Sequence, residues 1–280
     1  MARLSLPPNP DACLPLGEED FARLKDLHGA SLWTVPFKGC PTCGDKRWFA
    51  RRKHGGGDVD LYDCDCEQQW LLYLWLLNAG IGTSYQRLCL DDVPDDRLKS
   101  VMEALDYMAD DRIQGNLRLG LGLMLWSESR GTGKTLVSTL VLKKVLAAGY
   151  DGFFTTFSDM LDMYQSTWRD PEQKRWFDRK VRNVSFLVID DIGKEGQTRS
   201  RSVTESMVDS VIRARNSAAL PTIITTNFTP DQIDQGYSVA SLLAGTVKPI
   251  EIVGADFRQV QREQAEQDVL DDVYRPVVMV

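Results

Sequence analysis

Short apolar runs alternate with segments of helical spacing along the second half of the chain. The helical segments repeat apolar residues every three or four positions, and the runs between them are four to six residues long, as buried strands are. This alternation is typical of a parallel sheet covered by helices on both faces. We therefore predict an α/β fold with strands over 121–126, 152–157, 185–190, 222–226 and 250–253, and helices over 135–148, 158–168, 202–216 and 230–235.

The first half of the chain lacks this alternation. A helix is predicted over 67–78; it is apolar all round, which favours burial, although it also suits an aromatic face offered to a partner. The acidic stretch 91–96 looks like a linker, and 98–110 has helical spacing. The predicted organisation is an arm over 1–37, a cysteine-containing module with its helix over 38–90, a linker and helix over 91–116, a sheet domain over 117–258 and an acidic tail over 259–280.

Composition narrows the class of protein. The 280 residues are 43% hydrophobic, and the net charge of −7 argues against a protein coated with positive charge for nucleic acid, but not against a local basic patch. The longest apolar run, 70–77, is far too short to span a membrane. We see no secretory leader and expect a cytoplasmic protein, in which six cysteines indicate thiols or a metal rather than disulfides.

A glycine-rich loop between the first predicted strand and its helix indicates a phosphate site. Gly131 and Gly133 let the backbone curl so that N–H groups point at an anion, and the following helix adds its positive end. Lys134 would reach the β- and γ-phosphates of ATP, and Thr135 would bind Mg²⁺. Glu128 stands where this pattern usually has its first glycine. The predicted nucleotide-binding residues are Ser129, Arg130, Gly131, Thr132, Gly133, Lys134 and Thr135.

Polar side chains end two later strands. Asp190 and Asp191 close the apolar run 186–189, and ligands bind at the carboxyl ends of such strands. Asp190 suits the Mg²⁺ ligand, and Asp191 suits the group that orients the attacking water. Asn227 ends the next strand, where it would sense the γ-phosphate or hold the water, although an Asn at this place is commonly a turn residue.

Four segments in this order resemble the bacterial replicative-helicase loaders of the DnaC and DnaI type: GLGLMLWSESRGTGKT, FFTTFSDML, FLVIDDIG and LPTIITTNF. Those proteins form one branch of the AAA+ ATPases with the transposition ATPase IstB and the initiator DnaA. The resemblance covers about residues 98–258. It implies a bacterial or bacteriophage ATPase, acting in a bacterium or an infected host cell, that binds a replicative DNA helicase and helps place it on single-stranded DNA.

The resemblance also assigns roles to residues. Lys134 and Thr135 match Walker A, Asp190 and Asp191 match Walker B, and Asn227 matches the first sensor. Arg258, in the aromatic–Arg step after the last strand, is a candidate second sensor, although an ordinary surface arginine is an equally good interpretation.

One departure concerns catalysis. The family usually has a Ser-Arg-Leu step whose Arg reaches the neighbouring subunit's ATP, but this chain has Ser241-Leu242-Leu243. Either another cation serves, with Lys248 nearest in sequence, or turnover is slow. Self-association through the AAA+ domains is open for the same reason. Two alternatives remain: an IstB-like transposition helper, and an ATP-binding adaptor with little hydrolysis.

Four cysteines in the first quarter of the chain indicate a small module that could bind a partner molecule. Cys40, Cys43, Cys64 and Cys66 have a spacing that suits a structural Zn²⁺ site, with four reduced thiols as the alternative, and the intervening residues suit a hairpin. By the resemblance, this module would dock on the helicase; basic residues over 46–53 around Trp48 also suit nucleic acid.

The segment 169–182 is rich in Lys and Arg, and the family has a DNA-facing helix in this interval. Lys174, Arg175 and Arg179 would lie close together on such a helix and neutralise phosphates. A solvated charged helix is the alternative interpretation.

Overall fold

The computed structural model describes residues 48–52, 59–63, 65–168, 170–193, 201–236, 243, 245–270 and 277–280. Within these ranges the chain forms two compact units. We call Ala79–Ile81, Leu90–Gln264 and Val280 the sheet unit, and the other described residues the hairpin unit. The predicted arm over 1–37 lies outside the described residues.

The hairpin unit begins with two antiparallel strands and a helix. Strand β1 (Trp48–Arg52) pairs with β2 (Val59–Asp63), and helix α1 (Asp65–Asn78) follows. The hairpin and the helix are therefore confirmed. In the part of helix α1 whose side chains are described, Leu72, Tyr73 and Leu76 are fully buried.

The rest of the hairpin unit comes from two distant parts of the sequence. Helix α2 (Thr83–Gln86) is short, and the Val278 N–H donates to the Gln86 carbonyl at 3.0 Å. Val277 and Met279 are buried. The C-terminal segment is thus more than the acidic tail expected over 259–280, because its last residues pack by their apolar side chains.

The sheet unit is built on a parallel sheet that has five strands within the described residues. The strands are β3 (Gly122–Trp126), β4 (Gly152–Thr156), β5 (Phe186–Ile192), β6 (Thr222–Thr226) and β7 (Val247–Glu251). Every neighbouring pair is parallel, and the strand order is β4–β5–β6–β3–β7. The predicted α/β class is therefore confirmed.

Helices connect these strands and cover the sheet, as parallel pairing requires. The core on one face joins side chains of the central strands to helices before and after them, including Phe157, Met160, Leu187, Ile224 and Val211. The connecting helices close to their predicted positions are α5 (Lys134–Ala147), α6 (Phe157–Ser166), α8 (Arg201–Ser217) and α9 (Pro230–Gly236).

The segment 91–116, predicted as a linker and one helix, has two helices in the sheet unit instead. Helix α3 (Asp95–Tyr107) begins directly after Pro94, whose extended backbone suits the position before a helix. Helix α4 (Asp110–Leu119) ends at Gly120, which is left-handed at φ +69°. The acidic residues form first helical turns, where negative charge is favourable, so the stretch is not a linker.

Two more elements depart from the predicted boundaries. Strand β7 begins three residues earlier than predicted, at Val247, because an edge strand tolerates Pro249 without losing a ladder bond. Helix α7 (Pro171–Phe177) runs directly into a π-helical turn, Asp178–Arg182. After β7, helix α10 (Arg258–Leu270) follows. No helix in the described ranges is long and apolar enough to cross a membrane.

Candidate nucleotide-binding site

The loop between β3 and α5 turns on two glycines in the left-handed region. Gly131 has φ +72° and Gly133 has φ +95°, a region in which other side chains are strained. A Cβ atom at Gly131 would collide with the Asp256 carboxylate, and one at Gly133 would lie 3.2 Å from the Phe257 ring. Glycine is therefore favoured at both positions by conformation and by space.

The first residues of the loop face the solvent. Glu128, Ser129 and Arg130 are all exposed. The carboxylate that replaces the usual first glycine thus has water around it, which weakens its repulsion of a bound phosphate.

Lys134 is enclosed by the loop. It is the first residue of α5 and is only 7% exposed. Its ammonium donates to the carbonyl oxygens of Ser129 at 3.0 Å and Ser127 at 3.4 Å, and to the Thr132 hydroxyl at 3.4 Å. An anion in the loop would meet a cation shielded from water, where its attraction is stronger than at an exposed site.

Asp190 lies at the end of β5 and is tied to hydroxyls on both sides. Thr135 Oγ1 donates to Asp190 Oδ2 at 3.1 Å, which links β5 to the phosphate loop, and Thr225 Oγ1 donates to Asp190 Oδ1 at 2.6 Å. The carboxylate is 5% exposed. A hydroxyl and a carboxylate side by side are the hard oxygen donors that Mg²⁺ takes, so Thr135 and Asp190 fit this ion.

A bulge in β5 gives Asp191 its position. Ile189 pairs with Ile224 and Ile192 pairs with Thr226, so the ladder has one extra residue on β5. Asp191 adopts φ +63°, and its N–H donates to Thr225 Oγ1 at 2.8 Å. Bulges redirect side chains next to functional sites, and this one places two successive carboxylates at the same edge of the sheet.

Asn227 follows β6 at the same edge of the sheet. The preceding Thr226 hydroxyl donates to the Ile192 carbonyl at 2.9 Å and accepts the Phe228 N–H at 3.1 Å. These bonds fix the turn that carries Asn227, which is half-buried. The structure therefore brings the loop, both carboxylates and Asn227 to the carboxyl ends of neighbouring strands.

Arg258 is linked to the loop through Asp256. It begins α10 and is 65% exposed; its Nη1 lies 3.8 Å from Asp256 Oδ2, and its N–H donates to Asp256 Oδ1 at 3.0 Å. Asp256 in turn packs against Gly131. The guanidinium is thus paired with a carboxylate that screens it from an incoming anion.

Sequence reasoning missed Arg97 and Thr225. Arg97 lies in the segment 91–116, expected to be a linker and a helix, and was given no role there. It is 2% exposed, and its Nη1 donates to the Thr132 carbonyl of the loop at 2.9 Å. Hydrogen bonding to Arg97 lowers the pKa of Asp96. Thr225 could have been found from the sequence, because it and Thr226 place two adjacent hydroxyls directly before Asn227. Nothing in the sequence indicates Arg97.

The candidate catalytic cation Lys248 is engaged within its own unit. Its ammonium pairs with Glu103 on α3 at 2.7 Å and lies over the Tyr107 ring, 5.4 Å from the centroid. Ser241 and Leu242, where the family's arginine is missing, lie outside the described residues.

The basic segment divides into outward and inward side chains. Lys174, Arg175 and Arg179 are exposed, and Lys174 pairs with Asp178 at 2.9 Å. Lys180 instead lies over the Phe153 ring at 5.4 Å, and its pKa is lowered first by burial and then by Arg179. The three residues predicted to share a surface are thus the solvent-facing ones, while Phe177 is buried.

Most of the cysteines predicted to bind zinc lie outside the described residues. Cys40, Cys43 and Cys64 lie outside the described residues, and only the backbone of Cys66, in α1, is described. Elsewhere in the described part of the chain, no group of three or more His, Cys, Asp and Glu side chains could hold a metal ion. The zinc site stays a prediction.

Comparison with known proteins finds relatives over part of the chain. No family model matches the chain. The replicative helicase loader DnaI of Bacillus subtilis is 21% identical over 65% of this chain and 58% of its own length. The replicative helicase loader DnaC of Escherichia coli K12 is 23% identical over 47% of this chain and 50% of its own length. The chain therefore spans only about half the length of the curated relatives it matches.

A solved structure supports the fold. The crystal structure of DnaI superposes with a TM-score of 0.50 and 22% identity, over 61% of this chain and 93% of that one. This likeness shows that the two chains share a fold, the parallel sheet with connecting helices expected from the sequence. The family resemblance is confirmed with it: across the residues they share, this chain is similar to the replicative helicase loaders of the DnaC and DnaI type.

Proposed function

We propose that this chain is an ATP-dependent helicase loader, which binds a replicative DNA helicase and helps place it on single-stranded DNA during replication initiation. The observation that carries the proposal is the hydroxyl–carboxylate bridge from Thr135 to Asp190, which joins the phosphate loop to the acidic strand end. The names of the relatives supply the helicase and the replication step. Such work takes place in the cytoplasm of a bacterium or of an infected host cell.

In this proposal the loop 127–135 holds the phosphates of ATP. The N–H groups around Gly131 and Gly133, together with the N-terminal end of α5, face the anion, and Lys134 exchanges its loop oxygens for phosphate oxygens. Thr135 and Asp190 would hold Mg²⁺, which would neutralise charge on the phosphates. Asp191 accepts a hydrogen bond from the attacking water, and Asn227 orients that water or the γ-phosphate.

Hydrolysis is slow in this proposal. Leu242 stands where the family has its arginine, and the Lys248 ammonium is already paired with Glu103. An arginine from a neighbouring subunit commonly contributes about 10³–10⁵ to the rate of such reactions. ATP binding, rather than rapid turnover, would therefore set the state of the protein, and self-association stays a separate prediction.

The DNA surface of this proposal is the basic segment with its neighbouring aromatic ring. Lys174, Arg175 and Arg179 point into solvent, as backbone contacts to a single strand require. Trp168, before α7, is 63% exposed and stands edge-on to Tyr164 at 6.1 Å. An exposed ring near exposed cations along the chain suits stacking on a base, which does not depend on the base sequence.

The test is a loading assay with a purified hexameric replicative helicase. We expect the full chain to co-purify with the helicase in the presence of ATP, and to raise the amount of helicase retained on circular single-stranded DNA. Lys134→Ala should lose the ATP dependence, because it removes a buried cation from the phosphate loop. Failure to bind the helicase, together with a preference for duplex DNA, would instead favour the transposition-helper alternative.

A further inference from the structure

We propose that Arg97 is a positioning residue of the nucleotide site: it orients the peptide groups of the phosphate loop and couples that loop to the segment before Arg258. The inference rests on the proposed binding of ATP. Arg97 begins far from the loop in sequence, in the first turn of α3, yet its guanidinium ends against the loop backbone.

The guanidinium of Arg97 is held on all its sides. Its Nε and Nη2 donate to the two carboxylate oxygens of Asp96 at 2.9 and 3.1 Å, and Nη2 also donates to the Ala255 carbonyl at 3.0 Å. Its flat face lies 4.4 Å from the centroid of the Phe257 ring. Planar, bidentate pairing and stacking are properties of arginine that lysine lacks. The group is therefore fixed in place before it meets the loop.

The bond to the loop determines which way the peptide groups point. In a trans peptide the C=O of one residue and the N–H of the next point in opposite directions, and no cis bond occurs in the described residues. The Thr132 carbonyl accepts from Arg97, so the Gly133 N–H points the other way. The Gly131 carbonyl accepts the Phe257 N–H at 3.3 Å, so the Thr132 N–H is likewise turned away from Phe257.

Two successive N–H groups are thus turned toward the side of the loop on which a phosphate would bind. Successive N–H donors of this kind form an anion-binding concavity. One cluster, formed by Arg97 and the segment 254–257, donates the hydrogen bonds to the Gly131 and Thr132 carbonyls. Arg97 belongs to the same cluster as this segment because it also bonds Ala255 and stacks on Phe257. A Cβ atom at Gly254 would approach Arg97 Cζ to 2.8 Å, which shows how closely the segment packs.

The coupling follows from the same contacts. The segment 254–257 leads directly into Arg258, the candidate second sensor, so Arg97 touches both the phosphate loop and the approach to that residue. A nucleotide that tightens the loop would then also tighten this segment. By reciprocity, loosening the segment would weaken nucleotide binding by the same factor.

The experiment measures ATP-analogue affinity and backbone amide exchange in five full-length variants, one of which is Lys134→Ala. Arg97→Met removes the polar contacts but keeps much of the volume, Arg97→Lys keeps one charge, and Phe257→Leu removes the stacking face. Arg215→Met is the matched control, since Arg215 is also fully buried in the sheet unit. Its guanidinium bonds carbonyls just before β5 and β6, at the ends of these strands that lie away from the nucleotide site.

We expect Arg97→Met to weaken binding of a non-hydrolysable, Mg²⁺-bound ATP analogue by at least about tenfold, with Arg97→Lys intermediate. Arg215→Met should leave the affinity of the folded protein unchanged. In the wild type, the analogue should slow exchange of the Phe257 amide, and Arg97→Met should lose that protection. If Arg97→Met does not fold, Arg97→Lys and Phe257→Leu are compared with Arg215→Met instead, and we expect smaller losses of affinity and of amide protection.

The inference is overturned if the Arg97 variants bind the ATP analogue with wild-type affinity and keep the exchange protection of the Phe257 amide. This conclusion requires that Lys134→Ala abolishes binding in the same assay. An equal loss of affinity in Arg215→Met would also overturn it, because the effect would then reflect general instability. If Lys134→Ala binds the analogue normally, the proposed nucleotide site itself fails.

Discussion

At the scale of single residues, Asp191 combines a strained backbone with a proposed catalytic role. A non-glycine residue at φ +63° is uncommon, and Asp and Asn are among the side chains that tolerate it best. Its N–H bond to Thr225 and the bulge in β5 maintain this conformation. A substitution that tests the carboxylate must therefore leave the backbone preference intact.

Asp191→Asn meets that condition. We expect ATP affinity to remain and hydrolysis to fall by about 100-fold or more, because an amide cannot accept the proton of the attacking water. Equilibrium titration and a phosphate-release assay separate the two quantities. A hydrolysis rate equal to that of the wild type would remove Asp191 from the proposed mechanism, while Asp191→Ala would be ambiguous because it also strains the backbone.

Arg215 is a buried arginine whose hydrogen bonds we expect to stabilise the sheet unit. It is fully buried, and its guanidinium donates to the carbonyls of Val181, Val184 and Pro221 at 2.9, 2.9 and 2.6 Å. Burial lowers its pKa to about 9, with the charge of Asp151 opposing the shift. The group is therefore still protonated at neutral pH in both the folded and unfolded states, and its effect on stability does not vary with pH there.

Removing this guanidinium should destabilise the sheet unit. Arg215→Met leaves several buried carbonyls without a donor, and we expect the free energy of unfolding to fall by about 3 kcal/mol or more. Arg213→Met is the control on the same helix: Arg213 is exposed and pairs with Asp209, so its loss should lower the free energy of unfolding far less. Urea unfolding measures both variants, and similar midpoints would contradict the argument.

Some candidate site residues could be located from the sequence because they lie in short, local motifs. Lys134, Thr135, Asp190 and Asp191 sit in motifs whose residue types are required by phosphate and metal chemistry, and the structure brings them together. Arg97 was not predictable in this way. Its partners are 35 and 158 residues away in sequence, and a lone arginine in an acidic stretch looks like a surface residue.

At the scale of elements, hydrophobic periodicity located the central strands and their helices within a few residues. It failed where the apolar pattern is interrupted. Strand β7 contains Lys248 and Pro249, so its first half does not look like a buried strand. Helix α3 begins with acidic residues after Pro94, which resembles a linker until its buried face is known. In both cases tertiary packing outweighed the local pattern.

The basic segment supports a prediction about DNA. Reversing the charges of Lys174, Arg175 and Arg179 to Glu should weaken single-strand binding without altering ATP affinity, because these side chains face solvent away from the core. Each lost phosphate contact lowers the slope of log affinity against log salt by about 0.7, so three lost contacts change it by roughly two. The loss should be similar for all sequences, since backbone contacts carry no base information.

A matched triple variant separates local contacts from overall charge. Lys99, Arg112 and Arg118 are exposed residues of α3 and α4, and reversing them changes the net charge by the same amount. This control should lower affinity slightly and leave the slope nearly unchanged. Equal slopes for the two triple variants would assign 169–182 to the solvated surface and move attention to the basic residues over 46–53.

At the scale of the whole molecule, the two units differ in how they reach stability. The sheet unit has an extensive apolar core on its central strands, of the kind that supports a domain alone. The hairpin unit has a short two-stranded sheet, and an isolated hairpin is marginal in water. A structural metal is a common means by which small modules overcome this, and the spacing of four cysteines around the hairpin suits one.

We therefore predict about one zinc ion per chain, bound by Cys40, Cys43, Cys64 and Cys66. Elemental analysis of the purified full chain measures it. Cys64→Ser should lose the metal and unfold the hairpin unit, because apparent zinc affinities in such sites amount to about 10–16 kcal/mol of folding free energy. ATP-analogue binding by the sheet unit should persist, since that unit has its own core.

Cys89→Ser is the matched control for this prediction. Cys89 belongs to the hairpin unit but not to the proposed ligand set, so its replacement should leave both the zinc content and the unfolding of this unit nearly unchanged. Equal zinc loss in the two variants would mean that the ligands are misassigned. A metal-free chain whose hairpin unit still unfolds cooperatively would mean that four reduced thiols and the apolar face of α1 suffice to hold it.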